Sequence, residues 1–451
     1  MLNPYAAERV AGRRVVLDRL DRDGAALASL LRDRGADVVI ADHAPVVAVP
    51  SGCALVHERD AAVARADLLV VDCWTGEETS HVVQARERGI VVGCLADLVL
   101  YEARSPVVGV TGTAGKTMTA RLIAHLLEAA GWTVEIPPTG RAENAWPSAD
   151  SLAALRAETA PDIAVVELTS THLAYMTTSP THAVVTTLWP DHVELHGSEG
   201  RYFAAKQRIL ARQVEGDTAV LPVGETRLTP RPGVAVTHFS SEDAGVAEAH
   251  IAPHLRGNLA AALATVRSSL GVEVPLDAAI ASFASPIWRG ERIGDVAGIP
   301  VFHNGMAATP AKVKAFLRAL PDRSSILIVG GIPDSPAGLV HASAGEQRLL
   351  RETCGEIARV AQRVALVGPA AAQVAPMLAE AGARGVAVGP DLHWATTEAL
   401  RDLAGVGQIA WVPGFPVDLG DRERFAELVA MAARTAGIEW APAGAPAKDQ
   451  V

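Results

Sequence analysis

Short runs of branched apolar residues recur along the chain, separated by stretches in which apolar positions fall three and four apart. The runs are Arg14 to Leu17, Asp37 to Ala41, Leu68 to Asp72, Val107 to Thr111, Ile163 to Leu168, Ala183 to Thr187, Ser325 to Val329, Arg363 to Val367 and Gln408 to Val412. Each has the length of a buried strand. Between them, Gly24 to Arg34 and Met118 to Ala130 carry Ala, Leu and Arg at helical spacing, which predicts amphipathic helices. Strand, helix, strand repeated from end to end predicts an α/β fold of parallel sheets with right-handed crossovers and helices on both faces.

The chain has 451 residues, about three times the length of a typical domain. Two joints divide it, one before Pro106 and one at the turn Gly294 to Pro300. The pattern therefore predicts three doubly wound, Rossmann-like units over residues 1–104, 105–295 and 296–440. The tail, 441–451, is rich in Pro, Ala and Gly without periodicity and is expected to be disordered.

Composition narrows the function. Hydrophobic residues make up 49% of the chain but aromatics only 4%, which suits packed α/β layers better than a base-stacking surface. Charged residues are 20%, too few and too well mixed with apolar ones for bulk disorder. A net charge of −11 offers no electrostatic reason to bind nucleic acid. No stretch approaches the roughly 18 apolar residues of a membrane span, and no secretory leader is recognisable. A soluble, cytoplasmic protein with no membrane partner is expected. The four cysteines, Cys53, Cys73, Cys94 and Cys354, form no C-x-x-C pair and read as free thiols rather than a zinc ribbon or disulfide framework.

The most informative stretch is Pro106 to Leu127. An apolar strand runs into Gly112-Thr113-Ala114-Gly115-Lys116-Thr117 and then directly into a helix, the context a phosphate-binding loop needs. Glycines let backbone N–H groups turn toward phosphate oxygens, and the helix N-terminus adds partial positive charge. Lys116 is placed to reach the β- and γ-phosphates of ATP and the Thr117 hydroxyl to hold Mg²⁺. Val110 stands where the longest form of the pattern has glycine, so the loop is a shortened variant.

The T-G-T-A-G-K-T sequence from Thr111 resembles the Mur ligase superfamily, most closely its D-glutamate-adding branch, from about Val15 to Val429. Those enzymes join a carboxylate to an amine with ATP, through an acyl phosphate, on three α/β domains. The resemblance implies Gly112, Thr113, Ala114, Gly115, Lys116 and Thr117 as ATP-binding residues. It continues downstream through Glu167-Leu168-Thr169-Ser170, then Asp191-His192, then Tyr202-Phe203-Ala204-Ala205-Lys206.

Taken singly, a strand-end glutamate, a loop histidine and a lysine are ordinary residues. Their order after the phosphate loop is what points to function. The resemblance implies that Thr117, Glu167, His192 and Lys206 hold two Mg²⁺ ions, with Lys206 carbamylated by CO₂. Lys116, His192 and Lys206 are then the expected catalytic residues. It further implies Asn258 near adenine, after His254-Leu255-Arg256-Gly257, and Arg289 of Trp288-Arg289-Gly290-Glu291 between nucleotide and hinge. His182 and His196 are expected to be structural or surface residues.

Both substrate ends depart from that family's pattern. Its N-D-S-K-A-T-N-P segment here reads His303-Asn304-Gly305-Met306-Ala307-Ala308-Thr309-Pro310, so Asn304 replaces an aspartate on the nucleotide side and Met306 a lysine. Asp334 stands where the D-glutamate-adding ligases carry a lysine, a reversal that repels a dicarboxylic amino acid. Phe415, within Val412-Pro413-Gly414-Phe415-Pro416-Val417-Asp418, lies in place of a serine-phenylalanine segment. At the N-terminus, the Gly-x-Gly turn that approaches a UDP pyrophosphate is replaced by Asp18-Arg19-Leu20-Asp21-Arg22-Asp23-Gly24, which disfavours a diphosphate there. Arg19 or Arg22 at that turn either holds an anion or belongs to a solvated charged turn.

A monomeric ligase for a small carboxylate and a small amine, with altered substrates, is the expected function. An unaltered D-glutamate-adding ligase and an ATP-binding module without turnover are the rival readings. A simple P-loop kinase has no need of the Glu167 and Lys206 landmarks.

Overall fold

Alternation within the apolar runs decides which layer each side chain enters. In the strand Val107–Thr111, Val108 and Val110 join one apolar cluster and Val107 the other; in Ile163–Glu167, Ile163 and Val165 go one way and Ala164 and Val166 the other. Successive residues of a strand point to opposite faces. With helices on both faces, both sets are buried and the run reads as continuously apolar.

The computed structural model describes residues 3–137, 144–243, 255–284, 286, 289–307, 309–330, 344–369, 371–413 and 419–443. They form three sheets of five, six and seven strands. In the first, the order is Ala54–Val56, Asp37–Ala41, Arg14–Leu17, Leu68–Val71, Val91–Cys94, all parallel. The second runs Ala235–Phe239, Thr218–Pro222, His182–Val185, Val107–Thr111, Ile163–Glu167, Val134–Glu135, again all parallel. The third runs Val386–Gly389, Ala361–Val367, Ser325–Gly330, Gln408–Val412, Ile299–His303, Glu291–Val296, Trp440–Pro442.

The third sheet corrects the sequence reading in two places. Glu291–Val296 and Ile299–His303 form an antiparallel hairpin, so the turn from Gly294 to Pro300 lies inside this unit rather than opening it. Trp440–Pro442 adds an antiparallel edge strand, with Ala441 opposite Asp295 and Pro442 opposite Gly294. Ala441 and Pro442 are therefore ordered sheet residues, not tail. The backbone pairing at an edge supplies what local composition lacks.

The first two sheets share a continuous core. One cluster runs from Tyr5, Val15 and Leu98 of the first unit to Leu168, Leu173, Val185 and Ile209 of the second, while the two cores of the third sheet are separate. Asp97 seals the joint. This buried carboxylate accepts N–H groups of Thr177 and Thr178 at 2.9 and 3.1 Å, the Thr177 hydroxyl at 2.8 Å and the Tyr5 hydroxyl at 3.3 Å. Burial nonetheless outweighs these bonds and raises its pKa to about 6. Cys94 and Cys354 are buried, Cys53 and Cys73 partly so, and all four are free. No helix among the described residues is long and apolar enough to cross a membrane.

Because folded Asp97 binds a proton more readily than it does in the unfolded chain, its contribution to stability is largest below pH 4 and is lost as pH rises through about 6. Asp97→Asn should therefore flatten the change in urea midpoint between pH 4 and pH 6.5 relative to the parent; an identical slope in both proteins would refute the assignment.

Candidate active site

The strand Val107–Thr111 ends at the loop Gly112 to Gly115, and the helix Lys116–Ala129 starts at once. Two glycines are required by geometry. At Gly112 (φ +145°) an added Cβ would lie 2.0 Å from Thr186 Oγ1; at Gly115 (φ +86°) it would lie 2.2 Å from Asn258 Nδ2. The neighbouring segment grips the loop. Thr113 N–H donates to Thr187 O at 2.7 Å, Ala114 N–H to Thr187 Oγ1 at 2.9 Å, and Thr186 Oγ1 to Ala114 O at 2.5 Å. The first helical N–H groups after Gly115 have no carbonyl in the same helix to bind and face the loop opening.

A carboxylate and two lysines gather at this turn. Thr117 Oγ1 lies 2.6 Å from Glu167 Oε2 and 3.2 Å from Asn144 Oδ1, which also accepts from Arg289 Nη2 at 2.6 Å. Lys116 Nζ is 3.9 Å from Glu167 Oε1 and 3.3 Å from Thr113 O. Lys206, on the helix Glu199–Ala211, is only 1% exposed. Its amine donates to Thr111 Oγ1 at 2.9 Å and Gly112 O at 3.0 Å, and stands 5.6 Å from the ring of Tyr202 one turn earlier. Among the described residues no carboxylate is in direct contact with it. Burial, reinforced by Lys116, pushes the Lys206 amine well below its ordinary pKa against the pull of Asp191 and Glu167. Burial likewise lowers Lys116, and takes Arg289 down to about 10 despite Glu167.

Other predicted residues fall less simply. His192 sits in a left-handed turn (φ 51°) and is about one-third exposed; its contacts are Asp191 at 3.5 Å and Glu194 at 3.2 Å, not Glu167 or Lys206. Asn258 is brought to the loop itself, donating to Gly115 O and Thr119 Oγ1 at 3.0 Å each, so its amide braces the turn. Asn304 lies at the carboxyl end of Ile299–His303, buried, with its N–H on Trp411 O at 3.1 Å. Asp334, Phe415, His254 and Trp288 lie outside the described residues. His196 is wholly buried against Glu77 at 2.8 Å and His182 binds Thr218, as structural residues do.

Asn144 and Lys312 belong to the cluster although residue pattern alone did not single them out, and Thr111 and Asp191, quoted only as parts of motifs, join it. Burial would raise Asp191, but His192, Lys312 and Lys116 outweigh it and hold the carboxylate below its usual range. Lys312, in the first turn of the helix Pro310–Leu317, brings charge from the third unit to Lys116, Lys206 and Asp191. Lys314 and Arg318 of the same segment stand over the Trp189 ring at 5.4 Å each. Asp191 was visible beside His192 in sequence. Lys312 carried no local signal.

The turn at Asp18 to Gly24 is filled by its own side chains. Asp21 accepts the Gly24 N–H at 2.8 Å and caps the helix Arg22–Asp33; Asp23 accepts Ala149 N–H at 2.8 Å. Asp18 binds His81 at 2.8 Å, Arg59 at 2.8 Å and Thr75 at 2.9 Å. Arg19 pairs with Asp72 at 3.1 Å and Arg22 with Asp150 at 2.9 Å. The anion position at this helix start is thus taken by an intrinsic carboxylate.

A glycine-shaped loop at the carboxyl edge of the central of three α/β units is the arrangement of a nucleotide-binding α/β protein. Residues 110–277 match the Mur ligase middle domain. The UDP-N-acetylmuramoyl-L-alanine–L-glutamate ligase of Micromonospora sp. is 29% identical over 420 residues, covering 80% of this chain and 90% of that protein. The UDP-N-acetylmuramoylalanine–D-glutamate ligase of Symbiobacterium thermophilum is 29% identical over 340 residues, covering 67% and 72%. Among solved structures, the MurF ligase of Thermotoga maritima in complex with ADP aligns over 96% of this chain and 97% of its own with a TM-score of 0.56 at 16% identity, a likeness of fold. The middle of the chain therefore matches the Mur ligase middle domain, and the curated relatives it resembles over most of its length are ligases.

Gly115→Ala places a Cβ where Asn258 Nδ2 stands and in a backbone region costly for alanine. It should weaken ADP binding by calorimetry by at least about tenfold, the equivalent of roughly 1–2 kcal/mol of strain. Parental affinity in that variant would show that the loop does not cradle nucleotide.

Proposed function

We propose that this protein joins the carboxylate of one small molecule to the amine of another at the expense of ATP, through an acyl phosphate. The observation that carries the reading is the convergence of Lys116, Thr117, Glu167 and Lys206 on one glycine-shaped turn. Lys116 and the helix N-terminus take the β- and γ-phosphates. The acyl carboxylate attacks the γ-phosphorus, ADP leaves, and the amine then displaces phosphate from the acyl carbon. Lys312 and Arg289 line the same centre, so positioning and fixed charge supply most of the rate.

The donor set fits Mg²⁺. Glu167 Oε2 and Asn144 Oδ1 are hard oxygens that both lie within hydrogen-bond distance of Thr117 Oγ1, a third. No three His, Cys, Asp or Glu side chains among the described residues form a ready-made cage, and Mg²⁺ in nucleotide sites takes one or two carboxylates, with phosphate oxygens and waters completing it. When bound there, the ion neutralises charge on the transferring phosphoryl group. Glu167 and Thr117 would hold it; Asp191 and His192 stand ready for a second.

Lys206 is the proposed carbamate. A dry amine that gives up its proton easily is a nucleophile once neutral, and attack of its nitrogen on CO₂ with loss of one further proton leaves an anionic oxygen ligand in place of the amine. That change also removes the repulsion between Lys206 and Lys116.

For the substrates, the self-capped helix at Asp21 favours an acyl donor without a diphosphate at that turn. The second reading, a glutamate-adding ligase acting on UDP-N-acetylmuramoyl-L-alanine, is favoured by the relatives named above, which act on glutamate of either hand. A binding module without turnover is disfavoured by Lys312, which brings a cation to the cluster where Met306 does not.

Lys116→Ala should abolish substrate-dependent ADP release, assayed over panels of carboxylates and amines that include UDP-N-acetylmuramoyl-L-alanine and both glutamate enantiomers, while its melting curve stays cooperative. Persistent turnover would sink the ligase reading. Incubation with ¹³C-bicarbonate should give a carbamate resonance that Lys206→Ala lacks; a spectrum identical in both proteins would remove the carbamate.

A further inference from the structure

The turn that carries Asp191 and His192 cannot hold its own shape. It continues into a helix of four residues, Val193–His196, closed by Gly197 N–H on Val193 O at 2.8 Å and Leu195 N–H on His192 O at 3.0 Å. So short a helix is far below the length that its own bonds can sustain. His192 opens it at φ 51° and Gly197 ends it at φ 78°. A left-handed histidine persists only where neighbouring groups over-determine the backbone.

Those neighbours come from the first unit. Glu77 N–H donates to Leu195 O at 2.7 Å, and Glu77 Oε1 accepts from His196 Nδ1 at 2.8 Å. The approach leaves little room for side chains. A Cβ at Gly76 would stand 3.2 Å from Leu195 O, and one at Gly197 would stand 2.9 Å from the Glu78 side chain. Glu78 in turn pairs with Arg201 on the following helix. Residues 76–78 thus clasp the segment 195–201.

The bond at the centre of the clasp is buried. Glu77 is 7% exposed and His196 not at all. The second oxygen of Glu77 accepts from Arg86 Nη2 at 2.8 Å, so both oxygens are committed. Burial would raise the Glu77 carboxyl, but His196 and Arg86 outweigh it and keep it below its usual range. With Nδ1–H on Glu77, the His196 ring is fixed in orientation. It packs on Tyr202, centroids 5.5 Å apart at 75°. The Thr113 hydroxyl gives its proton to Trp189 O at 2.9 Å, so it is Tyr202 Oη that donates to Thr113 Oγ1, at 2.8 Å. Glu77 therefore reaches the phosphate centre by two routes, along the short helix to His192 and Asp191, and through His196 and Tyr202 to Thr113.

We infer that Glu77 is a positioning residue contributed by the first unit: acting through His196, it fixes the turn that presents Asp191 and His192 to the phosphate centre. The inference rests on the ligase reading above and adds to it that the second ion position of the central unit is set from outside that unit.

The test is Mn²⁺ titration of the full chain saturated with β,γ-methylene-ATP, followed by the paramagnetic signal of the free ion. The parent should bind two ions. Glu77→Ala and His196→Phe break the same bond from its two ends. Each should weaken the second ion about tenfold and leave the first unchanged, the loss usual for an outer partner of a metal site. His196→Phe leaves Glu77 on Arg86, so it carries the measurement if Glu77→Ala does not fold. Glu77→Gln still offers His196 an oxygen and should recover part of the loss. Tyr175→Phe removes a different bond across the same seam, to Thr75 O at 2.7 Å, and should bind both ions as the parent does. Parental binding of both ions in Glu77→Ala and His196→Phe, or an equal loss in Tyr175→Phe, would overturn the inference and leave the ligase reading to Lys116→Ala. A parent that binds a single ion would overturn it together with the second ion position.

Discussion

A lysine amine sealed from water beside a second lysine, with only neutral oxygens in contact, is the constraint around which the central unit is arranged. Lys206 touches Thr111 Oγ1 and Gly112 O, so its helix must pack against the very end of the phosphate-loop strand. That placement fixes Tyr202 on the Thr113 hydroxyl at 2.8 Å. Leaving a cation there unpaired would be costly. A neutral amine or a carbamate removes that cost, and each is also chemically useful. The burial is therefore better understood as preparation for chemistry than as a defect of packing.

Much of the fold could be read from the chain because both faces of each parallel sheet are covered. Val107–Thr111, Asp37–Ala41 and Gln408–Val412 are uninterrupted apolar runs for that reason, and their bounds are those of the observed strands. Strands at sheet edges were illegible. Ala235–Phe239 has mostly exposed or half-buried residues and Trp440–Pro442 contains proline; each exists because a neighbour offers backbone partners. The hairpin at Glu291 was missed because Gly294 and Gly298 looked like a boundary.

The phosphate loop was legible for a different reason: its spacing encodes local backbone geometry, so no distant partner is needed to recognise it. Glu167 and Lys206 were found by order along the chain, and the structure brings both to the loop. His192 keeps to Asp191 and Glu194, and Asn258 serves the loop rather than standing free. What the sequence could not display was convergence across units. Lys312 reaches the cluster from the third sheet, and Asn144 from a segment without a motif. Asp21 as an internal cap emerges only when the side chain is seen on Gly24.

The shared core of the first two sheets has a mechanical consequence. With Asp97 binding Thr177 and Thr178, and Thr171 and Tyr175 bonded across to the 73–75 backbone, the first two units behave as a single anvil. The third meets them through Trp189 under Lys314 and Arg318 and through Arg348 near Glu199 at 3.9 Å, contacts that slide at little expense. The seam to the third unit, which no shared apolar core crosses among the described residues, is then the softest joint of the molecule. Lys312 is the charge that this seam sets beside Lys116 and Asp191, so the geometry of the seam sets the electrostatics of the loop.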